Sequence, residues 1–430
     1  MDLDRPLSVD VLESMLLETD WSKPQKMTLP LSFAGVQPFC TEAALLQLIV
    51  TVARRSQGQF SVCLNGFDTS QAGSDQSLEK ALGNPYVVLA WVMANTIVDE
   101  NNVEIDQQRA SVFGKYLDAM ESYDFMSTHE SVESRANLIC VQRARREYIR
   151  ALYTKENGAP ILRSHAEIRL MVQDILAQIV PAWTGRKLRE IATPLARLSR
   201  ELIENAEWWA RTDVTGTPYS RGVRAITFRL VDIDDQNCKI FCGSNPFLNS
   251  YLQSMLLAPK SNWTNDTSSL VTKRNFIELT VVDSGPGLVR RWLATREGEQ
   301  RYMGPLENLS LDEEREAIAA CFQKWRTSSH DPSRGIGLFS VARLLRERNG
   351  FMRIRTGRLS YFFGTESAIR NVQLNSFLKK EENSYQCLDD GTHVFFDDDK
   401  VAFFLKPWTE EIMAAVEGTT YSILLPVQEA

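Results

Sequence analysis

Glu201 and Asn205 are the two side chains whose spacing best suits chemistry on a bound ion. They lie four residues apart, with Trp208 three residues further on, so on a helix all three would project from one face. A carboxylate can accept a proton from an attacking water, and an amide oxygen can ligate Mg²⁺. A separate stripe predicts the buried face of the same helix: Leu195, Leu198, Leu202 and Ala206. Thr193-Pro194 predicts where this helix begins, because Thr caps helices and Pro suits the first helical position.

A second candidate site follows the apolar stretch 277–282, whose β-branched residues predict a buried strand ending at Asp283. The next four residues, 284–287, contain Gly285 and Gly287 and predict a turn. An aspartate at a strand end can accept a hydrogen bond from an exocyclic amine. Glycines lack a Cβ, so their backbone can approach a flat ring closely. A simple turn after a strand is the alternative interpretation of this segment.

A third candidate site is the glycine-rich segment 333–338, which leads into an amphipathic stretch ending at Asn349-Gly350. The apolar stripe of that stretch predicts a helix: Leu338, Val341, Ala342 and Leu345. The first turn of a helix has unpaired backbone N–H groups at the positive end of the helix dipole, which suits phosphate. Each of these three signals is weak alone, but their order along the chain is specific.

In this order the three segments resemble the GHKL superfamily, the Bergerat-fold ATPases that include gyrase B, MutL and the histidine kinases. Residues 201–206 resemble its N box, 283–287 its first glycine box and 334–338 its second. Residues 418–426, which begin Gly-Thr, are similar to the last strand of the family. The resemblance covers about residues 185–428.

The resemblance implies ATP and Mg²⁺ as cofactors and assigns roles to the matching residues. Glu201 would be the general base, Asn205 would ligate Mg²⁺, and Asp283 would accept the adenine amine beside Gly285 and Gly287. The other residues implied to contact ATP are Lys324, Arg334, Gly335, Gly337, Leu338 and Thr419. Lys324 and Arg334 are the candidate cations of the ATP lid, although a solvated lysine is as good an interpretation of the former.

The resemblance leaves three activities open. ATP hydrolysis that drives a conformational switch is the leading expectation, because histidine kinases usually carry Asn at the position of Glu201. A serine or histidine kinase is the first alternative, although the 40 residues between His165 and Asn205 leave little room for a phosphoacceptor hairpin. A non-hydrolysing ATP-dependent binding module is the second. Output is expected through residues 1–180, a second protomer or a partner protein, because the last family strand comes just before Ala430.

The expected fold class is α/β, an α+β sandwich in two parts. Residues 185–430 would form a Bergerat domain whose mixed sheet is covered by helices on one face, with insertions near 234–274 and 362–413. Residues 1–180 would form a separate α/β module of unknown role. Its periodicity predicts strands at 27–33 and 60–64, and helices at 41–55, 86–98, 106–126 and 165–180. Pro30 favours an edge position for the first strand.

Composition excludes several classes of protein. The longest apolar run, 86–94, is too short to cross a bilayer. Seven scattered cysteines are typical of reduced thiols and predict a cytoplasmic protein. The net charge of −7 argues against non-specific nucleic-acid binding. One basic segment, 141–155, keeps a nucleic-acid contact open, with the cations Arg143, Arg145, Arg146 and Arg150, although a solvated face is the favoured interpretation.

Overall fold

The computed structural model describes residues 1–4, 6–33, 37–106, 110–122, 135–183, 185–257, 273–295, 301–324, 337–363, 385–397 and 400–427. Within these ranges the helices are α1 (Val9–Glu18), α2 (Thr41–Arg55), α3 (Ser74–Ala81), α4 (Pro85–Met93), α5 (Ala110–Ser122), α6 (His165–Ile179), α7 (Gly185–Trp209), α8 (Cys238–Cys242), α9 (Pro246–Leu256), α10 (Leu288–Thr295), α11 (Leu311–Phe322) and α12 (Gly337–Glu347). The strands are β1 (Gln25–Pro30), β2 (Phe60–Asn65), β3 (Thr96–Val98), β4 (Arg135–Val141), β5 (Tyr153–Glu156), β6 (Ala159–Leu162), β7 (Val223–Asp234), β8 (Lys273–Asp283), β9 (Phe351–Gly357), β10 (Leu359–Phe363), β11 (Tyr385–Cys387), β12 (His393–Asp397), β13 (Lys400–Pro407) and β14 (Val416–Pro426). None of the helices in the described part of the chain has the length and apolar content needed to span a membrane.

The α/β class is confirmed, and most described strands belong to one large sheet. Its order is β11-β12-β13-β10-β9-β14-β8-β7-β4. Every pairing of these described strands is antiparallel, so the expectation of a mixed sheet is wrong. The reason is visible at β7 and β8, where Asp234 pairs with Lys273. The chain between them therefore returns at the same end, like a long hairpin, whereas a parallel neighbour needs a crossover.

Cross-strand register gives the centre of the large sheet one polar and one apolar face. Neighbouring residues across four strands share the polar face: Thr227, Thr280, Ser422 and Arg353. The next row along the strands points to the opposite, apolar face: Phe228, Leu279, Ile423 and Met352. All eight side chains are buried. Both faces must therefore be covered by other elements.

Helix α7 packs on the apolar face and is longer than expected. It begins at Gly185 and contains Pro194 in its interior, so the start expected at Thr193-Pro194 is wrong. Ile191 and Ala192 are buried, and this packing compensates for the hydrogen bond that proline cannot donate. The Thr193 hydroxyl donates to the Arg189 carbonyl at 2.9 Å, so the threonine bonds back along the helix instead of capping it.

Helices α1 and α2 cover the polar face, so the expectation of helices on one face only is also wrong. Glu13 of α1 accepts hydrogen bonds from Arg353 at 3.0 Å and from Arg355 at 2.9 Å. On α2, Gln47 Oε1 accepts from the Thr420 hydroxyl at 3.0 Å. Charged and polar side chains on this face are buried because the helices from the first 60 residues supply their partners.

The first 180 residues also contribute a strand to the large sheet. Strand β4 pairs with β7 along its whole length, so the sheet extends across the division expected near residue 181. Strands β1, β2 and β3 form a separate parallel sheet with β1 at its edge, as Pro30 predicts. The segments expected as insertions contribute α8 and α9 in one case and strands β11, β12 and β13 in the other.

Several local predictions agree closely with the structure. The helices predicted at 41–55 and 165–180 are α2 and α6. Helix α11 begins with a capping box between Ser310 and Glu313. The helix predicted at 86–98 stops at Met93, and residues 96–98 form β3. These elements depend on periodicity and capping that neighbouring residues specify.

Replacing Glu13 tests the cover over the polar face. Burial alone raises the pKa of Glu13, but the charges and hydrogen bonds of Arg355 and Arg353 outweigh it and hold the pKa below its ordinary value. Glu13→Gln leaves two buried guanidinium groups without a counter-charge, and we expect a loss of roughly 3–5 kcal/mol in the free energy of unfolding. Urea titration at pH 7 measures this loss.

The control for Glu13→Gln is Glu18→Gln at the exposed end of α1, which should change stability by less than about 0.5 kcal/mol. Because the pKa of Glu13 is lowered, the difference between the Glu13 variant and the parent should shrink as pH falls through that pKa. Equal stability of both variants at pH 7 would contradict the assigned ion pair.

Candidate functional site

Helix α7 places Glu201 at the start of helix α12. A Cβ built on Gly337, the first residue of α12, would lie 2.9 Å from Glu201 Oε2. Glu201 and Asn205 are half-buried and share one stripe of α7. The structure therefore brings the first and third predicted segments together. A carboxylate beside the positive end of a helix is electrostatically favourable.

His165 also lies beside Glu201, which the sequence did not indicate. Its Nε2 atom is 3.8 Å from Glu201 Oε1, and about half of the side chain is exposed. Burial, with the charges of Arg200 and Arg197, lowers the pKa of His165. The Nε2–Oε1 distance is too long for a hydrogen bond. Because the pKa of His165 is lowered, its imidazole is neutral at pH 7.

The turn after β8 joins Asp283 to the end of α7. The Gly285 amide donates to Asp283 Oδ1 at 2.9 Å. A Cβ on Gly285 would lie 2.5 Å from the Cα atom of Ala210, immediately after α7. Only glycine fits there, because backbone atoms cannot move aside as a flexible side chain can. The close approach that the missing Cβ of Gly285 allows is therefore an approach to the backbone at the end of α7.

Gly287 and the Gly-Thr pair of β14 close the other side of this turn. Gly287 has a φ of +86°, and a Cβ there would lie 3.0 Å from the Gly418 carbonyl oxygen. The Gly418 amide donates to the Gly285 carbonyl at 2.8 Å. The Leu288 amide, at the start of α10, donates to Thr419 Oγ1 at 3.0 Å. Thr419 therefore lies beside the turn.

Asp283 is a buried carboxyl group whose protonation is shifted. Burial raises its pKa to about 6, although hydrogen bonds from the backbone of Gly285 and Thr419 and the charges of Arg291 and Arg54 act in the opposite direction. At pH 7 the group is mainly an ionised acceptor. Such a carboxylate in a low-dielectric site would gain from a donor supplied by a ligand.

Helix α7 sets the distance between the two ends of the site. Glu201 lies at the start of α12, and Ala210, which touches Gly285, lies nine positions later in the sequence. At 1.5 Å per residue this corresponds to about 13 Å. An extended nucleoside triphosphate has a comparable length. Asn205 lies between the two ends on the stripe that contains Glu201.

The side chain of Lys324 contacts other side chains of the protein in this structure. Its ammonium group pairs with Asp397 and lies 4.9 Å from the centre of the Phe339 ring. The role of Lys324 as a cation of the ATP lid stays a prediction, since an ion pair between two half-buried side chains does not test contact with a phosphate. Leu338 is buried in the hydrophobic core. Arg334 and Gly335 lie outside the described residues.

The basic segment lies in the turns between β4 and β5. Arg143, Arg145, Arg146 and Arg150 are exposed, and Arg146 forms an ion pair with Asp118.

A nearby open cleft of about 720 Å³ lies between α7 and the β5–β6 hairpin. Its charged side chains form ion pairs within the cleft, such as Arg200 with Glu204 at 2.7 Å. Neither feature adds to the residues around Asp283.

Three residues of α2 that the sequence analysis did not identify bond to the two loops around Asp283, at 284–287 and near Gly418. The side chains of Gln47 and Thr51 bond the backbone near Gly418, and Arg54 bonds the backbone of the turn. A signal was present in the sequence, since Gln47 and Thr51 are polar residues four apart in the otherwise apolar stretch 43–53. Such a pair in a buried helix needs partners.

Comparison of the chain with protein-family models, with curated proteins and with solved structures finds no match.

The raised pKa of Asp283 predicts how stability depends on pH. A carboxyl group whose folded-state pKa is about 6 instead of 3.8 binds its proton more tightly in the folded protein. It therefore contributes stability at low pH that is lost as pH rises through about 6. Relative to Asp283→Asn, which cannot titrate, the parent should gain about 1–1.5 kcal/mol between pH 7.5 and pH 5.

Urea unfolding of the parent and of Asp283→Asn at several pH values checks this prediction. The difference between the two proteins isolates Asp283, because all other titrating groups are common to both. A difference that stays constant across this pH range would show that burial does not raise this pKa.

Proposed function

We propose that this chain binds Mg-ATP in a GHKL-type site and hydrolyses it, acting as a nucleotide-driven switch with a Bergerat-type nucleotide-binding region. The site would run along α7, from the turn at 284–287 to the start of α12. The observation that carries the proposal is the position of α7 between these two segments. Gly285 packs against Ala210 at one end, and Gly337 approaches Glu201 at the other.

Asp283 and the glycines of the turn would form the adenine end. An ionised, buried Asp283 can accept a hydrogen bond from the exocyclic amine of adenine, which guanine lacks at that position. Gly285, Gly287 and Thr419 lie around it and would line the edge of the ring. Such a site would disfavour a base that offers no donor there, because one acceptor position of the buried carboxylate would then stay unfilled.

Glu201, Asn205 and the first turn of α12 would form the phosphate end. The N–H groups at the start of α12 can bind phosphate oxygens. Glu201 could accept the proton of the attacking water, and Asn205, one turn further along the same stripe, could offer its amide oxygen to a metal ion. Mg²⁺ bound there would neutralise charge on the phosphates. Among the described residues Lys324, which pairs with Asp397, is the candidate cation for the transferred phosphate.

Phosphotransfer to a protein side chain is the alternative activity, and one observation favours it. His165 lies 3.8 Å from Glu201, close to the proposed phosphate end, and its neutral imidazole would be nucleophilic. Incubation with ATP labelled on the γ-phosphate separates the two activities. Hydrolysis releases labelled phosphate, whereas a kinase leaves acid-labile label on the protein that His165→Ala removes.

The adenine end is tested by Asp283→Asn. Asparagine replaces part of the acceptor by a donor facing the adenine amine, which should cost roughly 1–3 kcal/mol of binding energy. Affinity for a fluorescent ATP analogue, measured with Mg²⁺ present, should fall about tenfold or more. Unchanged affinity in a folded variant would remove Asp283 from the site.

The phosphate end is tested by comparing Glu201→Ala with Asn205→Ala. Loss of Glu201 removes only the proton acceptor, so Mg-ATP affinity should remain and phosphate release should fall by on the order of 10²–10⁴. Loss of Asn205 removes a proposed metal ligand, so Mg-ATP affinity and turnover should fall together. Nucleotide affinity and phosphate release are measured for each variant.

The control for these two variants is Trp208→Ala, the exposed third member of the same stripe, which should keep both affinity and turnover. Parental turnover in Glu201→Ala would exclude Glu201 as the base and make Glu204 the next candidate. A parent protein that binds ATP without releasing phosphate, alone or with partners, would favour the switch or kinase alternatives.

A further inference from the structure

Helix α2 contacts both loops of the proposed adenine end from the opposite side of the large sheet. Gln47, Thr51 and Arg54 recur at four- and three-residue spacing and therefore share one face of the helix. Each of them bonds to the nucleotide-site loops. The helix belongs to the part of the chain for which the sequence indicated no role.

Arg54 holds the carbonyl group of Ser284, the first residue of the turn. Its Nε and Nη2 atoms donate to the Ser284 carbonyl oxygen at 3.0 and 2.9 Å. Its guanidinium carbon lies 3.6 Å from the centre of the Tyr219 ring. Two donors and a stacked ring fix the orientation of the guanidinium group, which a lysine ammonium could not reproduce.

The Ser284 carbonyl belongs to the same planar peptide unit as the Gly285 amide. That amide donates to Asp283 Oδ1 at 2.9 Å. Because a peptide group is rigid and planar, a bond to its oxygen also orients its N–H. Arg54 thus acts on the Asp283 carboxylate through a single peptide unit.

Gln47 and Thr51 hold the second loop in the same way. Gln47 Nε2 donates to the Gly418 carbonyl at 3.4 Å, and the Glu417 amide donates to Thr51 Oγ1 at 3.1 Å. The Gly418 amide in turn donates to the Gly285 carbonyl at 2.8 Å. One helix therefore aligns both loops relative to each other.

We propose that Arg54 is a positioning residue for adenine: it orients the 284–285 peptide and thereby the carboxylate of Asp283. The inference rests on the proposed ATP site and extends it to α2. It makes adenine selectivity depend on a helix on the far face of the sheet. Movement of α2 would change the affinity for ATP without touching the phosphate end.

The test compares Arg54→Met with Glu42→Gln. Methionine keeps the length and apolar stem of Arg54 but donates no hydrogen bond. Glu42 lies in the first turn of the same helix and pairs with Arg135 at 2.9 Å, away from both loops. Both variants remove one charged anchor of α2, and thermal unfolding measures how much each loses in stability.

The decisive measurement is the ratio of Mg-ATP to Mg-GTP affinity, obtained by displacement of a fluorescent nucleotide. In Arg54→Met, ATP affinity should fall roughly tenfold while GTP affinity stays nearly constant, so the ratio falls by a similar factor. In Glu42→Gln the parental ratio should remain. Arg54→Lys should give an intermediate ratio, because one donor still reaches the Ser284 carbonyl. This variant replaces Arg54→Met in the test if the methionine variant does not fold.

A parental ratio in folded Arg54→Met or Arg54→Lys would overturn the inference, as would an equal fall in the ratio for Glu42→Gln. Asp283→Asn distinguishes this failure from failure of the proposed function. If Asp283→Asn loses ATP affinity and the Arg54 variants do not, only the positioning role is wrong. If the parent binds neither nucleotide, the ATP site itself is refuted, and the positioning role with it.

Discussion

The large sheet carries charged side chains that are buried on one of its faces, and this constraint shapes the rest of the molecule. Arg353 and Arg355 are each 1% exposed, so their charges have almost no contact with water. A buried guanidinium group is tolerated only when a carboxylate and further acceptors surround it. Glu13 provides that carboxylate from α1. The sheet and the N-terminal helices are consequently parts of one packed unit.

The same strands serve two different environments because side chains alternate along them. On β8, Glu278 and Thr280 face the N-terminal helices, whereas Leu279 and Val281 face α7. Asp283 lies on the same face of β8 as Leu279 and Val281, and therefore beside α7 in the proposed nucleotide site. A shift of one residue in register would exchange the two faces. Ion pairs such as Arg229 with Glu278 add to that specification, since no other register pairs them.

The covered polar face also gives the N-terminal part of the chain a physical connection to the proposed site. In a sheet with one solvated face, the loops at the strand ends would be held from one side only. Here α7 holds the turn at 284–287 through Ala210, and α2 holds it through Arg54. A ligand or partner that shifts α2 would therefore change the geometry around Asp283. Coupling of this kind needs no flexible linker, because the contacts are direct.

The sequence by itself determined several local elements and indicated most residues of the candidate site. Helices α2 and α6 and the strand that ends at Asp283 depend on neighbouring residues, so periodicity and spacing suffice to predict them. The same holds for Gly287, whose positive φ follows from the turn.

Only the tertiary structure decided the arrangement of these elements. Continuation of α7 through Pro194 depends on packing of Ile191 and Ala192 against distant residues. The ion pair of Lys324 with Asp397, and the bond from Arg54 to the Ser284 carbonyl, join residues far apart in sequence. Local propensity carries no information on such contacts, because their energy exists only once both partners have been brought together by the fold.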